Sequence, residues 1–210
     1  GSGSGTYVDI GTLAGQMGIG TKLDVPFLGA LNAKYYPKAD GAKNADNSNS
    51  ANTSGSVGSG SSVTLKTDLS ALSPMLDGAS VTTGYSETAT STAANTSDAL
   101  EATVAVNYAY GPVSLGVQKK HNKRGVTDAG LDRINHDDLI LGIAYAVNDN
   151  LSVSLNRYTS NRHSELVDNN EQETDAISIG YTVGGMTIGF QDASTDNSGY
   201  VLDAKDDSRT

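Results

Sequence analysis

Cysteine and tryptophan are absent from the 210 residues, proline occurs four times and phenylalanine twice. Lacking cysteine, the chain has no disulfide, no thiolate zinc site and no thiol nucleophile. Only 37% of residues are hydrophobic, which is thin for one dry core that must offset the conformational entropy lost on folding. No apolar run approaches the roughly 20 residues of a transmembrane helix. A strand that crosses a bilayer would escape that test. Basic residues are scarce as well: 14 Lys and Arg against 24 Asp and Glu give a net charge of −10. With no basic stripe, nucleic acid is excluded as a partner, because phosphate binding needs clustered Lys and Arg.

What is present is glycine, 24 residues of it, abundant Ser, Thr, Ala and Asn, and a rhythm. Short runs of alternating polarity are joined by a tight turn and then by a long polar connection, about five times over. The clearest run places Leu100, Ala102, Val104, Val106, Tyr108 and Tyr110 on one face and Glu101, Thr103, Ala105, Asn107 and Ala109 on the other. Gly111-Pro112 turns the chain, and Val113, Leu115 and Val117 return against Ser114, Gly116, Gln118 and Lys120, which makes a hairpin. A second hairpin joins Leu139–Val147 to Leu151–Asn156 through Asn148-Asp149-Asn150, and a third joins Ile177–Val183 to Met186–Gln191 through Gly184-Gly185. Weaker pairs precede them, Val63–Leu69 with Ala79–Tyr85 and Met17–Leu23 with Leu31–Tyr35. The long connections fall at Lys38–Ser62, Thr88–Ala99, His121–Asp138, Ser160–Asp175 and from Ala193 onward. Short turns on one side and long loops on the other are the habit of up-and-down barrels in outer membranes.

Each clear run is about nine to eleven residues, the length of a tilted strand that crosses the hydrocarbon layer. The faces opposite the apolar positions carry Ser, Thr, Asn, Gln, Gly and Lys, which suit a wet lumen. A soluble antiparallel sheet with one wet face would alternate in the same way. Aromatic placement separates the two readings. Tyr108, Tyr110, Tyr145 and Tyr181 sit toward the short turns, and Tyr35, Tyr85 and Phe190 toward the long loops, with aliphatic residues between. Two aromatic girdles around an aliphatic belt answer to a bilayer with two interfaces.

In the units Glu101–Tyr110 with Gly111-Pro112, Asp138–Val147 with Asn148–Asn150, and Ala176–Val183 with Gly184-Gly185, the sequence resembles the general porins of Gram-negative outer membranes, the alphaproteobacterial type most closely. The resemblance runs from about Gly15 and rests on pattern. It implies an all-β, antiparallel up-and-down transmembrane β-barrel, usually of sixteen strands, commonly trimeric, with an inward-folded loop narrowing each pore. It also implies the outer membrane as location and passive diffusion of small hydrophilic solutes and ions as function. About ten strands can be counted, and the polar stretch Asp203–Thr210 departs from the aromatic strand that ends such barrels. Residues 1–210 are therefore expected to be one barrel domain, an internal portion lacking strands at both ends, with a complete ten-stranded barrel as the alternative.

A diffusion pore needs width and a field rather than a catalytic group. By the alternation, Lys22, Lys34, Lys66, Asp68, Glu101 and Lys120 line the pore, a set that leans basic beside acidic loops. Solvated residues on the wet side of a sheet would look the same. Tyr7 and Asp9 belong to a candidate constriction loop ahead of the first strand, an ordinary external loop being the other reading. Expected partners are the bilayer, lipopolysaccharide and, in a homotrimer, further copies of the chain. Asp137, Asp138, Asp168, Glu171, Glu173, Asp175, Asp203, Asp206 and Asp207 offer loop oxygens to calcium, yet no calcium-binding spacing occurs and solubilising charge explains them, so no cofactor or metal is expected. His121, His136 and His163 fall in predicted loops without metal-ligand spacing, and no nucleophile-elbow or phosphate-loop motif is present. No enzymatic activity is expected. Two competing functions stay open: an adhesin-like soluble or surface-attached β-protein that binds a partner through its loops, which would need no detergent and form no channel, and a closed, plugged or enzymatic outer-membrane barrel, against which the frequent inward Gly, Ala and Ser speak.

Overall fold

The alternating runs fold as strands, as their period-2 pattern dictates. The computed structural model describes residues 19–26, 28–36, 59–88, 98–123, 134–164 and 170–210, and among these it places eleven strands: β1 (Ile19–Val25), β2 (Gly29–Tyr36), β3 (Gly60–Asp68), β4 (Ala79–Thr88), β5 (Ala99–Tyr110), β6 (Val113–Lys123), β7 (Asn135–Ala146), β8 (Leu151–His163), β9 (Glu171–Val183), β10 (Met186–Asp196) and β11 (Lys205–Arg209). They form one sheet in sequence order, every neighbouring pair antiparallel. This is an all-β up-and-down meander, and β1 and β11 are not paired to each other.

The expected count of about ten strands agrees with the eleven among the described residues. The polar stretch 203–210 contains β11, which pairs with β10 from Asp196↔Lys205 to Asp192↔Arg209. Strands β6 to β10 also run farther toward the long connections than the alternation showed. There both faces are polar, so hydrophobicity has no period to display. His121, His136, Asp137, Asp138, His163, Glu171, Glu173, Asp175, Asp206 and Asp207 consequently stand on strands and not in loops.

Turn chemistry fixes the tight connections. After β3, Asp68 accepts a hydrogen bond from the Ser70 amide and Ser73 from the Met75 amide, capping two single-turn 3-10 segments. Glycine is required just before β4. Gly78 has φ +81°, and a Cβ there would lie 2.1 Å from the Ala109 carbonyl oxygen, a conformation and an approach that only glycine tolerates.

Burial is inverted relative to a soluble domain. Among the described residues the only buried hydrophobic one is Ala79, whereas Leu141, Leu155 and Ile188 are 40%, 52% and 57% exposed. The covered side chains are polar: Ser62, Ser86, Asp138 and Ser160 are 3%, 6%, 9% and 0% exposed. The Val, Ile and Leu rows do not stack against one another in a dry interior.

Register shows how the apolar band crosses the strands. Following pairs from β2 to β5, Leu31, Ala33 and Tyr35 lie level with Val104, Ala102 and Leu100. Following them from β5 to β10, Phe190 lies level with Tyr110, and Ile188 and Met186 fall beyond it. The band slides by a little over one residue per strand. With a rise of about 3.3 Å per residue and about 4.8 Å between strands, a level belt then needs strands tilted by about 40°, the range of membrane barrels.

Candidate functional site

Directly paired residues of an antiparallel ladder point to the same face, so the register assigns a face to each side chain. Lys22, Lys34, Lys66, Asp68, Glu101 and Lys120 all fall on the polar face, called here the inner wall. Lys120 and Glu101 meet, Nζ to Oε1 at 3.9 Å, and the Asn122 amide donates to the same Glu101 oxygen at 2.8 Å. Asp68 serves as the turn cap described above. Register adds Asp24, Asp138, Arg162 and Asp206 to this wall. The described inner wall thus holds Lys22, Lys34, Lys66, Lys120 and Arg162 against Asp24, Asp68, Glu101, Asp138 and Asp206, a balance rather than the basic excess read from the sequence. Tyr7, Asp9 and Asp168 lie outside the described residues.

The inner wall carries one feature that the sequence did not disclose. Between β10 and β11 a 3-10 turn, Ser198–Tyr200, folds back over the polar face of β7 to β9. Ser160 Oγ donates to Asp138 Oδ1 at 2.6 Å, so the Tyr200 hydroxyl, 2.7 Å away, donates to Ser160. Tyr158 donates to the same Asp138 oxygen at 3.1 Å. The Tyr200 ring lies against the His136 ring at 5.3 Å between centroids and beneath the Arg162 guanidinium at 4.9 Å. Asn170 donates to the Tyr200 carbonyl, and the Gly199 amide to Gln172 Oε1. Asn197, Tyr200 and Asp203 all have positive φ, a strain of about 1 kcal/mol or more each for such residues that these bonds hold in place. Asn197 and Asp203 are turn formers, but nothing in the sequence says which wall the turn meets.

The apolar face bears the aromatic residues. Tyr35, Tyr85, Tyr110, Tyr145, Tyr181 and Phe190 are exposed there, and Tyr108 stacks on Tyr110 with centroids 6.4 Å apart. Relative to the sliding belt, Tyr35, Tyr85 and Phe190 stand at its long-connection edge, and Tyr110, Tyr145 and Tyr181 at its short-turn edge. Beyond the belt the same face turns ionic. Arg157 holds Asp175 through two bonds of 2.7 and 2.6 Å and reaches Glu173 at 3.5 Å. Arg209 pairs with Asp192, and Lys205 with Asp196. Asp137 receives His121 Nδ1 at 2.8 Å on one oxygen and His163 Nε2 at 3.2 Å on the other. Two of the acids offered to calcium, Asp175 and Glu173, are therefore engaged by Arg157, and among the described residues no group of three acidic or histidine side chains is arranged to hold a metal.

No family model matches the chain, and no curated protein matches it. Among solved structures it is similar to the outer-membrane expressed OmpT of Vibrio cholerae, with a TM-score of 0.59 and 12% identity, covering 91% of this chain and 61% of that one. The fold is that of an outer-membrane β-barrel. This neighbour supports the barrel type and not the alphaproteobacterial porin type in particular. The chain spans about three fifths of the OmpT chain's length.

One expectation is corrected. The reading of the chain as no enzyme rested on three histidines in predicted loops without metal-ligand spacing and on the lack of a nucleophile-elbow or phosphate-loop motif; the structure instead puts all three histidines on strands and two of them on one carboxylate. With a barrel fold shared with the outer-membrane OmpT of Vibrio cholerae, the expectation of no enzymatic activity is withdrawn.

Proposed function

We propose that this chain forms the wall of a bacterial outer-membrane pore through which small hydrophilic solutes and ions pass by passive diffusion. The observation that carries the reading is the inverted burial: the aliphatic belt is exposed and the polar wall is covered. A soluble sheet would offer water a continuous apolar strip across ten strands, far beyond the scattered apolar residues of ordinary surfaces. In a bilayer the same strip is the favourable outer surface. The aromatic edges and the tilt implied by the sliding belt support the same orientation.

In this reading the polar face bounds the aqueous path. Its charges are balanced in sign, five basic and five acidic among the described residues, so the field orients dipolar solutes rather than selecting strongly for either ion. The turn at Tyr200 covers part of the wall and narrows the path at the level of Asp138 and Arg162. Lipopolysaccharide against the ionic collar beyond the belt, and trimer formation, are proposed partners of the same architecture.

Planar-bilayer recording on the complete protein that carries this chain is the test. Discrete conductance steps are expected. Correctly folded protein that gives no steps would remove the pore assignment and restore the adhesin-like reading.

A further inference from the structure

Across the middle of the inner wall, Asn107 of β5, Gly116 of β6, Gly142 of β7 and Asn156 of β8 lie in one cross-strand row. The two carboxamides lean toward each other over the glycines. A Cβ on Gly116 would stand 3.2 Å from Asn107 Oδ1, and one on Gly142 would stand 2.9 Å from Asn156 Oδ1. The glycines leave room for the carboxamide oxygens to lie close over the strands, and a cavity of about 320 Å³ opens beside them, lined also by Ser114 and Ser154. A volume of this size matches the small end of ligand pockets.

The polar groups of this cavity are two carboxamides and two hydroxyls, set among Gly116, Gly142, Ala144, Leu115 and Ile143. Each carboxamide offers a donor and an acceptor, each serine hydroxyl both. The lining holds no charged side chain. The row above, from Ala105 to Tyr158, and the row below, from Ala109 to Ser154, carry no formal charge either. A charged solute would lose hydration there without meeting a counter-charge. A hydroxyl-rich neutral solute finds partners of both kinds, placed on two sides of a flat floor.

Resting on the pore reading, we propose that this cavity is a solute subsite for neutral polyhydroxylated molecules, sugars or polyols of about monosaccharide size. Asn107 and Asn156 hold the hydroxyls from opposite sides, Ser114 and Ser154 hold them from the next row, and Gly116 and Gly142 let the two carboxamides lie low enough to leave the cavity open above them. Transit past the site is then saturable for neutral sugars and merely diffusive for organic anions of the same length.

The test uses the complete protein in planar bilayers, with glucose or gluconate added to the KCl solution. Conductance is expected to fall with glucose along a saturating curve, while gluconate shows no saturation. The pair Asn107→Leu and Asn156→Leu should raise the half-saturating glucose concentration about tenfold, the loss of a hydrogen bond or two. Ser114→Ala with Ser154→Ala, a gentler change should the leucines hinder folding, should raise it severalfold. Asp149→Asn, in the exposed turn between β7 and β8 and away from the cavity, should leave it unchanged. A fall strictly proportional to glucose concentration, or one identical in the asparagine and serine variants, overturns the subsite and leaves the pore standing. Absence of conductance from folded protein overturns both.

Discussion

Ser160, wholly buried, holds the most consequential polar contacts of the inner wall: it links Tyr200 to Asp138. Ser160→Ala leaves Asp138 with Tyr158 and strands the Tyr200 hydroxyl, so a loss of about 1–3 kcal/mol is expected on urea unfolding in detergent. Tyr200→Phe removes a single bond and should cost about 1 kcal/mol. A larger penalty for the tyrosine change than for the serine change would contradict the order of the chain. Gly78→Ala is a different matter, because the added methyl meets backbone rather than a mobile side chain. About 3 kcal/mol or more of destabilisation, or failure to refold into micelles, is expected. Most of these effects were invisible in the sequence. Ser160 looked like the start of a polar loop, and Gly78 like one turn residue among several, because a residue's neighbour across the sheet is set by register and not by proximity along the chain.

At the level of the strand, one face serves two environments. On β7, Leu139 to Tyr145 face outward as an aliphatic row capped by an aromatic residue, whereas Asp137, two positions on, holds two histidines. Leu141→Arg should cost about 2–4 kcal/mol in lipid, and Thr159→Arg, on the same face of β8 beyond the belt, about 0–1 kcal/mol. Equal penalties in vesicle refolding would mean that no hydrocarbon layer touches this face. The β10–β11 turn makes a second case. Tyr200→Ala should free the wall it covers and raise single-channel conductance, and unchanged conductance would show that the turn lies clear of the path. The apolar halves of β5 to β10 were legible from alternation alone. The ionic halves and β11 were not, since a strand wet on both faces has no period to read.

For the molecule as a whole, the testable quantity is tilt. Polarised infrared spectra of oriented bilayers should place the strands about 40° from the normal, as the slide of the belt requires. Strands parallel to the normal would break the link between that slide and a flat membrane. Register puts the six charged residues Lys22, Lys34, Lys66, Asp68, Glu101 and Lys120 on one polar face, as the alternation grouped them, and adds opposite charges that change the electrical character of that face. Arg162, Asp138 and Asp206 joined the wall only when β7, β8 and β11 were seen to extend past their apolar portions.

By itself the sequence determined the hairpin rhythm, the two faces and the aromatic edges, because period-2 alternation and turn residues act locally along the chain. The tertiary structure decided which face is covered, how far each strand runs, how rows on distant strands align, and where Tyr200 comes to rest. Those depend on hydrogen-bond register between strands that a one-dimensional pattern does not contain.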